Sequence, residues 1–208
     1  MTPPTAVVIA AVVGYLLGSI PSGLLIGRML EGVDIRQTGS GRTGATNAMR
    51  SLGARGFVLT FAADAGKAIV AVLIARLLVA DVLGVGAAEA VAAVAAIIGH
   101  NWSAYIGFGG GRGVACSFGS MLMLFWPGAL AGLVTAGALI GLTRYVSLGS
   151  IVGTVVGLVV VVVAVTAGSE PPALAAFAVV TAVIVIGSHR DNLGRLLAGT
   201  ERKIGQRA

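Results

Sequence analysis

Three polar segments hold the residues whose types and spacing suit chemistry on phosphates. The first runs Gly39-Ser40-Gly41-Arg42-Thr43-Gly44-Ala45-Thr46-Asn47-Ala48-Met49-Arg50. A glycine–serine–glycine turn lets successive backbone N–H groups converge on one anion, and Ser40 adds a hydroxyl donor. A helix expected from about Thr43 would present its partly positive N-terminus, and Arg50 offers a planar fork for phosphate. A lipid headgroup is the competing occupant. The second segment is Gly99-His100-Asn101-Trp102, followed by Gly107-Phe108-Gly109-Gly110-Gly111-Arg112-Gly113. Its glycines permit close backbone approach and Arg112 supplies a cation, while His100 reads as a helix-end cap in preference to a ligand. The third is His189-Arg190-Asp191-Asn192, then Arg195 and Gly199-Thr200-Glu201. Asn192 lies about one helical turn beyond His189, and such a pair suits hydroxyl binding, oxyanion stabilisation or proton transfer.

Other chemistries fit poorly. The sequence has no Gly-x-Ser-x-Gly elbow and no Gly-Lys-Ser/Thr phosphate loop. Neither histidine is followed at the fifth position by Asp, the pattern of CoA-dependent glycerolipid acyltransferases, and no carboxylate pair flanks a site. The lone Cys116 excludes an intramolecular disulfide and a cysteine metal cluster, and His100 and His189 alone build no histidine-rich centre. No metal or cofactor is expected. The net charge of +6 is not interleaved with aromatics as nucleic-acid binding would need.

The elements that must position these segments are membrane helices. Of 208 residues, 57% are hydrophobic and only 11% charged, with a mean hydropathy of +0.99. A water-facing domain carries roughly 25% charged residues, so lipid is the solvent that fits. The 32 glycines suit helix association in lipid, where small residues let backbones approach; Gly149, Gly153 and Gly157 have the required spacing. No cleavable signal peptide is evident at the start. Apolar stretches run over about 5–27, 56–80, 82–99, 114–143, 146–168 and 173–188. Each suits one crossing of ~20 residues except 114–143, which is longer and broken by Trp126-Pro127-Gly128, where proline and glycine predict a bend. Asp64 and Lys67 interrupt the second stretch at a spacing that lets them neutralise each other, as a structural pair or in a substrate role.

Charge placement orients the helices. Eleven of the fourteen Lys and Arg residues, including Arg207, fall in the segments 28–55, 100–113 and 189–208, which the positive-inside rule assigns to the cytoplasm. The N-terminus is then outside, the C-terminus inside and the number of crossings odd. Seven result if 114–143 goes out and back as a short hairpin. Arg144 and the 143–150 segment then join the other polar segments on one face of a single domain, 1–208.

The pattern as a whole resembles a known family. Gly18-Ser19-Ile20-Pro21-Ser22-Gly23, Asp34-Ile35-Arg36, Gly39-Ser40-Gly41, Gly44-Ala45-Thr46-Asn47, Arg50, Gly99-His100-Asn101, Gly109 to Val114, Arg144-Tyr145-Val146-Ser147-Leu148 and His189-Arg190-x-Asn192 are similar, in order and spacing over about 14–204, to the bacterial acyl-phosphate:glycerol-3-phosphate acyltransferases, the PlsY family. The resemblance implies an all-α, polytopic membrane protein of seven transmembrane helices in the bacterial plasma (inner) membrane, with its active site facing the cytoplasm. It implies transfer of a fatty acyl group from acyl phosphate to the 1-hydroxyl of glycerol 3-phosphate, giving lysophosphatidic acid and phosphate for phospholipid synthesis. The implied partners are those two substrates and the bilayer, with no cofactor and a monomer as the working unit. By resemblance His189, Ser40, Arg112 and Asn192 are catalytic. Gly39, Gly41, Arg42, Asn47, Arg50, Gly109, Gly110, Gly111, Gly113, Ser147 and Glu201 bind substrate, and the acyl tail lies between helices. Either His189 or a substrate phosphate oxygen takes the hydroxyl proton. Two departures stand out: Arg112 occupies a position where the family has Lys, and Arg42 one where Asn is common. Arg keeps the charge but not the shape of Lys, which leaves a divergent lipid-binding or transport paralogue as the alternative.

Overall fold

The computed structural model describes residues 1–84 and 86–206; Val85, Arg207 and Ala208 lie outside the described residues, and with them one of the eleven topogenic charges. Among the described residues all regular structure is helical. The order is α1 (Pro3–Gly18), α2 (Ser22–Glu31), α3 (Ala45–Leu83), α4 (Ala87–Asn101), α5 (Val114–Leu124), α6 (Trp126–Thr143), α7 (Val146–Thr166), α8 (Pro172–Ser188) and α9 (Arg190–Leu197), with short 3-10 turns at Ile35–Gln37 and Ala104–Ile106. By length and composition three stretches are apolar and long enough to cross a membrane: 3–31, α6 and α7. The pair α8 and α9, bent by 60°, makes a fourth.

The helix ends explain the path. The apolar stretch 5–27, read as one crossing, falls within the single candidate span 3–31; its helix is interrupted at Ser19–Pro21, where Pro21 has no N–H to extend the ladder. A second interruption, at Gly53 (φ 67°, ψ −162°) inside α3, uses a backbone conformation that an L side chain resists. The predicted bend in 114–143 falls at Phe125, immediately before Trp126-Pro127-Gly128. Its two arms are unequal, 11 and 18 residues, where similar lengths were expected.

Five hydrogen bonds fix which helix ends share one side. Tyr15 Oη donates to Trp102 O and Ser103 Oγ to Ser19 O, joining the ends of α1 and α4. Thr43 N donates to Gly110 O, which brings the start of α3 beside the loop before α5. Asn101 Nδ2 reaches Ser188 Oγ at the end of α8 (2.9 Å). Ile204 N reaches Arg144 O (2.9 Å), placing the α6–α7 turn against the C-terminal tail. Seven legs, α1, α3, α4, α5, α6, α7 and α8, therefore alternately approach and leave one end of the bundle.

Small residues hold the legs together. A Cβ at Gly14 or Gly18 would strike the backbone of Ala92 or Ala96, so α1 lies directly on α4. Gly153 faces Gly132 and Gly157 faces Gly128 across α6 and α7 in the same way, as their spacing predicts. Close backbone approach replaces the hydrophobic drive that lipid removes. The remaining core is alanine-rich, with Phe177, Ile97, Val72 and Val161 as its largest fillers.

Candidate functional site

At the end where the legs gather, a cavity of about 290 Å³ opens between α3, α5, α6 and α7. Its mouth is lined by Ser40, Arg42, Arg50, Arg112, His189 and Asn192, and its interior by Phe57, Phe61, Phe118, Met121, Leu133 and Ile140. The N-terminal turns of three helices contribute to the wall: Gly44 to Thr46 of α3, Arg112, Val114 and Ala115 of α5, and Val146 with Ser147 of α7. Unpaired N–H groups and partial positive charge at such ends favour an anion. Phe57 stacks on Phe61 at 5.9 Å between centroids, and Phe61 meets Phe118 at 5.5 Å, giving one aromatic wall from α3 to α5. One cavity thus joins a cationic mouth to an apolar interior.

The first polar segment is built differently from its sequence reading. Asn47 is buried and fully occupied: Nδ2 donates to Ile35 O (2.6 Å) and Arg42 O (2.9 Å), and Oδ1 accepts from Ser40 N (2.9 Å). Gly41 N is held by Thr38 O. Two of the N–H groups in the turn, those of Ser40 and Gly41, are therefore engaged within the chain. What the turn presents to the cavity is the Ser40 side chain and the Arg42 guanidinium. Gly39 (φ 63°) makes this possible, because a Cβ there would run into Asn47 Oδ1. Gly39, Gly41, Gly109, Gly110 and Gly113 do not line the cavity. Gly110 packs on the His100 and Asn101 backbone, and Gly113 (φ 84°) caps α5.

Gly111 does line the cavity, pressed so closely on the His100 ring that a side chain there would overlap Nε2; its N–H bonds His100 O at 2.9 Å. This seats Arg112. Burial, reinforced by Arg42 and Arg195, lowers its pKa to about 10, still well above neutrality. Arg112 therefore enters the cavity as a cation whose buried Nε has no hydrogen-bond partner among the described residues.

His100 is not a helix cap. With Asp64 and Lys67 it forms a buried cluster: Lys67 Nζ lies 2.7 Å from Asp64 Oδ1 and 3.1 Å from His100 Nδ1, and donates to Ile20 O at 2.7 Å. His100 Nδ1 is 3.3 Å from the same carboxylate. Cys116 Sγ stands close to both, with ligand atoms within 4.8 Å of one another. The Lys67 ammonium already neutralises that carboxylate, and Cys116 Sγ donates to Asp64 O, so the trio is served by the chain's own cation.

The third segment converges on Glu201. Its Oε1 accepts from Ser147 Oγ and from Asn192 Nδ2, both at 2.7 Å, and its Oε2 from Arg195 Nε at 2.7 Å. Burial opposes ionisation here, but those three donors outweigh it and hold the carboxyl below its ordinary value. Ser147 and Asn192, from α7 and α9, are thereby locked in place, and Asn192 Oδ1 is left buried and without a partner among the described residues. His189, 3% exposed, caps the break between α8 and α9. Its Nδ1 is 2.8 Å from Val185 O; a carbonyl only accepts, so Nδ1 carries the proton and Nε2 keeps a lone pair. Burial, with Arg112 adding to it, pushes the His189 pKa down to about 4, so the ring is a neutral base at physiological pH.

Sequence reasoning thus assembled Ser40, Arg42, Arg50, Gly111, Arg112, Ser147, His189, Asn192 and Glu201 around one cavity. It missed the apolar half: Phe57, Phe61, Phe118 and Met121 sit in stretches apolar throughout, with no local contrast to mark a lining residue.

The chain matches the family model described as glycerol-3-phosphate acyltransferase over residues 8–199. It is 44% identical to the glycerol-3-phosphate acyltransferase of Parasynechococcus marenigrum (strain WH8102), covering 98% of this chain and 92% of the relative. It is 42% identical to that of Clostridioides difficile (strain 630), covering 96% of each. Among solved structures it is similar to PlsY (YgiH), an integral membrane glycerol 3-phosphate acyltransferase, in its glycerol 3-phosphate form, with a TM-score of 0.84, 33% identity and 96% of both chains covered. The lysophosphatidic acid form of that protein superposes with the same score.

Proposed function

The chain belongs to the glycerol-3-phosphate acyltransferase family, and from that membership we propose that it moves a fatty acyl group from acyl phosphate to the 1-hydroxyl of glycerol 3-phosphate. The observation that carries the proposal is the two-part cavity, cationic at its mouth and apolar within. Both substrates are phosphate esters or anhydrides, and only the donor has a long apolar chain. Arg42, Arg50 and Arg112 supply enough positive charge for two anions side by side. The tail of the donor enters along the Phe57, Phe61 and Phe118 wall.

Acyl phosphate is already activated, so the protein needs no covalent intermediate. The glycerol hydroxyl oxygen attacks the acyl carbon, the bond from that carbon to the phosphate oxygen breaks, and inorganic phosphate departs with the electron pair. The hydroxyl proton passes to His189 Nε2, whose lone pair is free, or to an oxygen of the departing phosphate. Asn192, Ser147 and Ser40 orient the acceptor. Holding two reactants in line accounts for ~7–11 kcal/mol of barrier lowering, more than a proton transfer contributes, so positioning is the main device. Charge-assisted donors around the developing oxyanion add to it.

The proposed setting is the bacterial inner membrane, with seven crossings, the N-terminus outside and the cavity mouth facing the cytoplasm. The concentration of basic residues at the mouth end supports it, as does the alternation of the seven legs. The test is phosphate release by the purified protein given palmitoyl phosphate with and without glycerol 3-phosphate. Acceptor-dependent release matched by lysophosphatidic acid is expected. Release without acceptor would reduce the activity to hydrolysis, and no release from a folded sample that binds palmitoyl phosphate would favour a non-catalytic or altered-acceptor paralogue.

A further inference from the structure

The apolar arm of the cavity has a defined bottom. Its deepest lining residues are Met121 on α5, Ala129 on α6 and Thr154 on α7. α6 and α7 run in contact from Gly149 against Ala136, through Gly153 against Gly132, to Gly157 against Gly128, and the Met121 thioether rests on the last of these contacts. A Cβ built at Gly157 would lie 3.0 Å from Met121 Sδ and 3.2 Å from its Cε, and one at Gly128 3.1 Å from Sδ. Met121 and Ala129 are 3% and 1% exposed. Met121 stands seven residues past Val114, a helix rise of ~10 Å below the start of α5. An unbranched, adaptable side chain therefore sits between the open arm and the lowest glycine contact of α6 with α7.

We infer that Met121 sets the upper length of the acyl chain this protein handles, acting as the floor on which the terminal methyl rests. The inference rests on the proposed reading of the cavity as the acyl-tail pocket. A chain short of the floor leaves apolar wall uncovered, and one too long must displace Met121 or bend back toward the mouth. Fit of a single methylene in such a pocket discriminates by roughly 10- to 200-fold. The Met121→Ala change opens room onto the Gly128–Gly157 crossing, whereas Ala129→Leu raises the floor from the opposite helix. Neither residue belongs to the polar mouth lined by Ser40, Arg42, Arg50, Arg112, His189 and Asn192.

The experiment compares kcat/KM for lauroyl, myristoyl, palmitoyl and stearoyl phosphate in wild type, Met121→Ala and Ala129→Leu. Thermal stabilisation by 1-acylglycerol 3-phosphates of the same chain lengths, which requires no donor, is measured in parallel. The ratio of longest to shortest chain is expected to rise by about tenfold or more in Met121→Ala and to fall by a similar factor in Ala129→Leu. Opposite shifts cannot come from a shared loss of stability. An unchanged length profile in both variants and both measurements would overturn the assignment. If wild type transfers from no acyl phosphate yet product binding shifts with chain length as stated, the donor reading falls and the floor stands.

Discussion

Removing the Asn47 side chain isolates how much of the site depends on one buried amide. Asn47→Ala deletes two donations, to Ile35 O and Arg42 O, and one acceptance, from Ser40 N. At ~0.5–1.5 kcal/mol net for each hydrogen bond, the loop from 35 to 42 loses about 3 kcal/mol of support. Ser40 and Arg42 ride on that loop, and ~1.4 kcal/mol is a factor of ten. kcat/KM for glycerol 3-phosphate is therefore expected to fall by roughly 100-fold, while the substrate-free loop becomes sensitive to protease at Arg36 or Arg42. Asn47→Asp sharpens the test. It keeps an acceptor for Ser40 N but turns the donor toward Ile35 O and Arg42 O into a second oxygen, so it is expected to be worse than alanine. Wild-type kinetics and protease resistance in Asn47→Ala, or higher activity in Asn47→Asp than in Asn47→Ala, would refute the positioning argument.

Three further outcomes follow from the geometry. Because the His189 pKa lies near 4 in the fold against ~6.5 unfolded, the unfolded chain binds a proton between those values that the native one refuses. His189 therefore makes stability rise with pH across that window, and its contribution is lost as pH falls toward 4; nitrogen NMR should find the Nδ1–H tautomer down to about pH 4, and a midpoint near 6.5 would contradict it. Replacing Arg112 by alanine leaves the cavity without its most buried cation, and KM for the anionic substrates should rise by 10-fold or more, with a partial return in Arg112→Lys; equal KM in Arg112→Ala and wild type would remove Arg112 from the site. Lys67→Met strands the buried Asp64 charge and should cost ~3–5 kcal/mol, read as a lower unfolding temperature in detergent. Adding Asp64→Asn should restore much of that loss, and no restoration would show that Lys67 acts through Ile20 O alone.

The polar half of the site was legible because contrast made it so. Arg42, Arg112, His189 and Glu201 stand out in a chain with only 11% charged residues, and Trp126-Pro127-Gly128 together with the charge asymmetry asked for a bend within 114–143, found at Phe125. The break at Ser19–Pro21 was missed because hydropathy is unchanged across it, although Pro21 carried the local signal. One role was misread for a physical reason. His100 looks like a helix cap by type, but its Nδ1 faces groups far along the chain, the Asp64–Lys67 pair. Such long-range partners have no local signature.

The unequal hairpin has a consequence for where the reaction happens. α6 outlasts α5 by seven residues, ~10 Å of rise, and its apolar Leu133 and Ile140 line the cavity that Arg112 enters. In the proposed orientation the scissile bond sits at the junction of the cationic mouth and the apolar interior, with the tail left on the lipid side. A tail delivered there need not be hauled up out of the oily layer, an excursion costing ~0.8 kcal/mol for every methylene exposed. The small, soluble reactant makes the descent instead. The bundle thus brings the water-loving partner down to the greasy one, and the product is released already embedded in the sheet of lipids it will join.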